Sequence, residues 1–282
     1  MKNSMMKLLP NDELKINIRP DMEEYEVIKD AIKISVDQSN LTGSRLETNA
    51  YHAKVLTPDD AKKLLKLDID VNLPDLPKTI IPYDHARKVI IKNHERILLI
   101  NCACRSLKGD KACSPRNVCM LLGEPWVSFY MEHNADSYKK LITVEEALEI
   151  IDEQHKLGNV QSIFLKDVMG DRSYGLCNCC TCCCTALMGY NYAKVGNFAA
   201  SGYVREVDSA KCKNCGTCVE YCHFHVPEMV DGKMVADNSK CMGCTVCVDK
   251  CPNGAITIKR DDPLRNEPLD VDVLVPKYMN QN

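Results

Sequence analysis

The chain has 282 residues, of which 27% are charged and 45% hydrophobic, and a formal net charge of −3. This is ordinary globular composition without a disorder signature, and the length suffices for one large or two ordinary domains. The slightly acidic balance and the lack of any Lys/Arg run argue against a nucleic-acid partner. No apolar run approaches the roughly 20 residues that span a bilayer.

In chain order, the opening MKNSMMKLLPNDELK lacks the apolar core of a secretory signal. Residues 22–36 set Val27, Ile28, Ala31, Ile32 and Val36 on one helical face. Thr57-Pro58-Asp59-Asp60 reads as an N-cap, a first-turn proline and first-turn acids, which predicts a helix to Leu67. Leu73 to Pro82 holds three prolines and reads as a connector. A second helix is expected from Tyr83 or Asp84 to about Glu95, with Ala86, Val89 and Ile90 inward. Arg96 to Asn101, centred on Ile97–Ile100, reads as a short buried strand that delivers the chain to Cys102.

Cys102, Cys104, Cys113 and Cys119 follow, at a strand end and the loop after it. Trp126, Phe129 and Tyr130 read as core aromatics. Thr143-Val-Glu-Glu146 is a capping box that opens a helix ended by Gly158. Val160 to Leu165 is strand-like and leads to Cys177, Cys179, Cys180, Cys182, Cys183 and Cys184. On a helix only positions i, i+3 and i+4 share a face, so these six cannot all meet one centre. Either the run begins as a loop folded round a metal, or it serves two centres from opposite sides. Zinc is the competing reading, although the spacing matches no zinc ribbon. A helix is expected over Ala186 to Val195, capped by Gly196.

The most informative stretch runs from Lys211 to Pro252 and repeats C-x-x-C-x-x-C-x-x-x-C. Cys212, Cys215, Cys218 and Cys222 recur 29 residues later as Cys241, Cys244, Cys247 and Cys251. Three thiolates within seven residues can hold three corners of an iron–sulfur cubane. The fourth lies one helical turn, about 6 Å, beyond the third, and is carried towards the neighbouring centre. Paired zinc knuckles would have no use for the third and fourth cysteines of each copy. Tyr203–Val207 and Ala255–Lys259 read as partner strands that flank the duplication. Met229–Val235 reads as a hairpin turning on Asp231-Gly232. The apolar patch 271–275 in the proline-containing tail is expected to dock on the first domain.

The duplicated run resembles the bacterial-type two-cluster ferredoxins. The resemblance implies two [4Fe–4S] clusters, one on Cys212, Cys215, Cys218 and Cys251, the other on Cys241, Cys244, Cys247 and Cys222. One departure is that Cys251-Pro252 matches that pattern while the first copy has Cys222-His223. The wider pattern of Cys102-Ala-Cys104-Arg105, Cys113, Cys119, Glu145-Glu146-Ala147-Leu148 and Cys177 to Cys184 resembles a group of anaerobic ferredoxin-type iron–sulfur proteins over about residues 80–260. It implies one or two further iron–sulfur clusters on the ten N-terminal cysteines.

The expected architecture is α+β: a cysteine-rich mixed helix/strand domain over 1–200, a small duplicated, pseudo-twofold ferredoxin-like domain over 201–262, and a tail over 263–282. Eighteen cysteines without a secretory signal imply reduced thiols, metal binding and a cytoplasmic setting. No flavin, NAD or ATP motif is present, nor a nucleophile–base pattern. The leading expectation is an electron carrier that passes low-potential electrons between redox partner proteins. The alternatives are a reductase component whose N-terminal cysteines hold a substrate-active or unusual cluster, and a cluster carrier. Lone histidines (His94, His133, His155, His223, His225) read as surface or satisfied core residues. Arg105 reads as a donor to cluster sulfur or as a salt-bridge partner.

Overall fold

The structure, a computed structural model, describes residues 52–83, 87–134, 138–166, 172–192 and 198–279. The amphipathic segment at 22–36 lies outside them. The chain enters through β1 (His52–Leu56), and Thr57 caps α1 (Pro58–Leu65) by accepting from the Asp60 N–H. There follow β2 (Val71–Leu73), β3 (Val89–Asn101), α2 (Ala103–Lys108), β4 (Asn117–Glu124), α3 (Trp126–His133) and β5 (Lys139–Ile142). Next come α4 (Val144–Lys156), β6 (Val160–Lys166), β7 (Arg172–Cys179), α5 (Thr185–Tyr192) and β8 (Phe198–Ala199). The eight strands form one sheet in the order β2-β3-β4-β7-β6-β1-β8, with β5 also paired to β3. Every pairing between these strands is antiparallel except that of β1 with β8.

The helix expected to reach Glu95 is instead the first half of β3. Val89, Ile90 and Ile91 are β-branched and fit a pleated surface better than a helix. Val89 and Ile91 are buried and pair with Leu73 and Val71, while Ile90 is half-exposed, an alternation of period two. Three consecutive apolar residues satisfy either period, and the partner strand decides between them. The later run 97–100 is buried on both faces: Ile97 and Leu99 join the core under α1 and α4, and Leu98 and Ile100 pack towards Trp126 and Phe129.

The capping box of α4 is present in both directions, between Thr143 and Glu146, and Gly158 ends the helix region at φ +93. In the C-terminal module β9 (Tyr203–Val207) pairs with β12 (Ile256–Arg260). Between them lie α6 (Thr217–Glu220), the hairpin β10 (Pro227–Val230) and β11 (Lys233–Ala236), and α7 (Val246–Asp249). Asp231 and Gly232 both have positive φ, as the type I′ turn requires. Phe224, Val226, Met242 and Val246 of this module bury against Leu187 and Phe198. The tail forms α8 (Val271–Met279), whose Val271 and Leu274 enter the core beside α1 and β2. Its apolar patch docks because residues three apart share one face.

Candidate metal centres

Eight cysteines lie on the two loops of the C-terminal module. A cleft partly open to solvent is lined by Cys222, Cys241, Cys244 and Cys247, so the fourth cysteine of the first copy meets the first three of the second. Arg205 of β9 lines the same cleft, 2% exposed, and its Nε and Nη1 lack a hydrogen-bond partner among the described residues. Nη2 reaches only the Met234 sulfur, at 3.5 Å. A buried guanidinium left without an acceptor is costly unless an anion answers it. A cubane with four thiolates, at about −2, is such an anion, and the donor set fits it. Backbone donors complete the surround: Gly243 N–H to Cys241 Sγ and Val226 N–H to Cys222 Sγ, each at 3.4 Å. The contact from Val226 recurs in the second copy as Ala255 N–H to Cys251 Sγ, also at 3.4 Å.

Burial pushes the Cys222, Cys244 and Cys247 thiols up, Cys247 to about 12, while Arg205 pulls Cys222 and Cys247 the other way. Without a metal these thiols stay protonated, so loading must release protons. Cys212, Cys215, Cys218 and Cys251 do not line that cleft. Cys215 is exposed, and the Thr217 hydroxyl beside it, at 3.4 Å, lowers its pKa. Gly243 holds the second loop against the chain at the module's entry, where a Cβ would lie 2.2 Å from both Ser201 Oγ and Tyr203 O.

The ten N-terminal cysteines divide into two groups. Pairing of Met120 with Leu176 sets β4 beside β7 and places Cys119 near Cys177. Cys102 stands at the N-cap position of α2, Cys104 lies in its first turn, and Cys184 immediately precedes α5. Cys102 contacts Cys104 and Cys119; Cys119 contacts Cys177; Cys177 neighbours Cys179; Cys179 contacts Cys184; and Cys184 closes the ring on Cys104. Contacts from Cys102, Cys184 and Thr185 lower the pKa of Cys104. The second group is Cys113, Cys180, Cys182 and Cys183, whose sulfurs all lie within 4.8 Å of one another. The run thus divides between the two groups, with Cys180, Cys182 and Cys183 on one turn and Cys177, Cys179 and Cys184 in the ring.

Arg105 is 1% exposed and, among the described residues, meets neither sulfur nor carboxylate. It donates to the carbonyls of Pro115 and Asn178, which fixes the loop after α2 onto the end of β7. His155 and His223 are satisfied inside the fold, as expected of isolated histidines, and their partners link distant elements. His155 is buried, with Nδ1 2.9 Å from Gln161 Oε1 and Nε2 2.6 Å from Asp249 of α7. Gln161 donates to Asn178 Oδ1, and Asn178 donates to Val118 O, so a buried polar chain runs from α7 to the strands that carry Cys119, Cys177 and Cys179. His223 accepts at Nδ1 from the Thr181 N–H, at 3.3 Å, and donates from Nε2 to Gly158 O, at 2.6 Å. Burial lowers its pKa and keeps it neutral. His94 pairs with Asp70 near the surface and His225 is exposed, as expected of isolated histidines.

Residues 211–256 match the family of 4Fe–4S dicluster domains. No curated protein matches the chain. The module is therefore an iron–sulfur domain, and together with the ten further cysteines it suggests an iron–sulfur protein of electron transfer. Among the described residues, no helix is long and apolar enough to cross a membrane.

Proposed function

We propose that the protein carries low-potential electrons between redox partner proteins, with two [4Fe–4S] clusters ligated in crossed sets and a further iron–sulfur site on the ring of six N-terminal thiols. Bound cubanes supply one-electron transfer, and the chain supplies potential, insulation and contact. Cys241, Cys244, Cys247 and Cys222 are the ligands of one cluster; Cys212, Cys215, Cys218 and Cys251 are those of the other. The observation that carries this reading is the cleft that unites Cys222 with the second triplet beside Arg205, whose Nε and Nη1 have no partner among the described residues. Arg205 offsets the cluster's negative charge, and the N–H groups of Gly243 and Val226 donate to its thiolates. The His155 and His223 contacts hold the module against the domain bearing the other thiols, a short route for electrons between centres.

The test is Cys222→Ala in the full chain, reconstituted without air. It should remove or disrupt the cluster of the second triplet and leave the other signal in electron paramagnetic resonance. Loss of the Cys212–Cys215–Cys218 cluster instead would overturn the crossed assignment. A second reading, a reductase component with an open iron site, is favoured by the ring holding two thiols more than one cubane takes. It predicts a spectral shift on adding cyanide, and the carrier reading predicts none.

A further inference from the structure

Cys180 to Cys183 form a tight turn in which the Cys180 carbonyl accepts from the N–H groups of Cys183 and Cys184, at 3.3 and 2.9 Å. The turn folds its three thiols to one side, and Cys113 reaches in from the loop after α2. Sulfur–sulfur distances are 2.9 Å for Cys113–Cys182, 3.2 Å for Cys180–Cys182, 3.7 Å for Cys182–Cys183 and 3.9 Å for Cys113–Cys180. Around a tetrahedral zinc with Zn–S near 2.3 Å, sulfurs stand about 3.8 Å apart. In a cubane each thiolate sits on a different iron, beyond the corner of the metal core, and four sulfurs cannot approach so closely.

The same molecule provides the contrast. Among the described residues, no other set of three or more His, Cys, Asp and Glu groups gathers its ligand atoms within 4.8 Å. The eight cysteines of the dicluster module and the ring of six thiols are both more open. Second contacts also suit a closed thiolate site. The Cys113 N–H donates to Cys183 Sγ at 3.3 Å, and the Lys108 ammonium donates to the Cys182 carbonyl, which sets a positive charge beside a centre of net negative charge.

We propose that Cys113, Cys180, Cys182 and Cys183 bind one tetrahedral divalent transition-metal ion, zinc or ferrous iron, as a closed structural site. The ion staples the loop after α2 to the 180–183 turn. Thr181 of that turn is the residue that hydrogen-bonds His223, so the staple fixes the surface on which the dicluster module docks. This site is independent of how the other clusters are ligated.

The experiment uses the full chain, assembled without air from iron, sulfide and zinc. Metals and sulfide are counted, and X-ray absorption is recorded at the zinc and iron edges. The expected result is one ion per chain with four sulfur neighbours near 2.3 Å and no metal neighbour. Cys182→Ser, at an exposed position, and Cys113→Ser should each lose that ion and keep the remaining iron and sulfide. Loss of several irons with matching sulfide in these variants would overturn the proposal in favour of a cluster. A wild-type protein with no four-sulfur mononuclear ion would overturn it as well, and this arm holds even if a variant fails to fold.

Discussion

At the scale of single residues, the proposed crossed ligation gives Arg205 a role in setting one cluster of the module apart from the other. Its side chain is buried in the cleft lined by Cys222, Cys241, Cys244 and Cys247, with two donor nitrogens unpartnered among the described residues, and the other four cysteines of the module do not line that cleft. A fixed positive charge stabilises the reduced, more negative form of a nearby cluster. At an effective dielectric of about 20 and a separation near 5 Å, the interaction is roughly 3 kcal/mol. For a one-electron couple this corresponds to a potential on the order of 100 mV. Arg205→Gln should therefore shift one of the two module potentials downward by about 100–150 mV, and Arg205→Lys should shift it much less. Redox titration followed by electron paramagnetic resonance reads both. Equal shifts of the two clusters, or none, would remove Arg205 from that role.

At the scale of elements, the legible features are those encoded locally. The capping box of α4, the Asp231-Gly232 turn and the repeated cysteine loops each depend on residues a few positions apart. The grouping of the N-terminal thiols was not legible, because it follows from the pairing of β4 with β7 across some fifty residues of chain. The strand at Val89–Ile91 was missed for the same reason: its partner β2 decides its period. His223 did leave a signal, since it stands where the second copy has Pro252. Restoring symmetry with His223→Pro should keep the module's iron, because Cys251-Pro252 already serves at the matching place. It should cost about 1–3 kcal/mol in stability by leaving the Thr181 N–H and Gly158 carbonyl unpaired. Anaerobic denaturation of the loaded variant, with an iron count, separates these two effects. Loss of module iron would mean that the histidine supports the cluster itself.

At the scale of the whole molecule, the dicluster module leaves and re-enters the first domain at one point, and Lys54 stands there. This lysine of β1 is fully buried, and its ammonium donates to the carbonyls of Ala200 and Glu267, at 2.7 and 3.0 Å, on either side of the module. The two chain segments touch closely: a Cβ on Gly202 would lie 2.3 Å from the Pro268 nitrogen. Burial lowers the Lys54 pKa from 10.5 to about 7, against smaller opposing effects of Asp60 and Glu267. Below pH 7 both folded and unfolded chains carry the proton, and the cost of burying the charge is fully present. Between about pH 7 and 10.5 the unfolded chain binds more protons than the folded one, so stability rises with pH across that window. From pH 7 to 9 the gain from this group is about 2 kcal/mol. Lys54→Met should be less stable at neutral pH, since two carbonyls lose their donor, and should lack this rise. Anaerobic denaturant midpoints of the loaded proteins at pH 7, 8 and 9 give both slopes. Parallel slopes would mean that Lys54 keeps its charge throughout, and the two ends of the module would then be clamped by an ammonium rather than by a neutral amine.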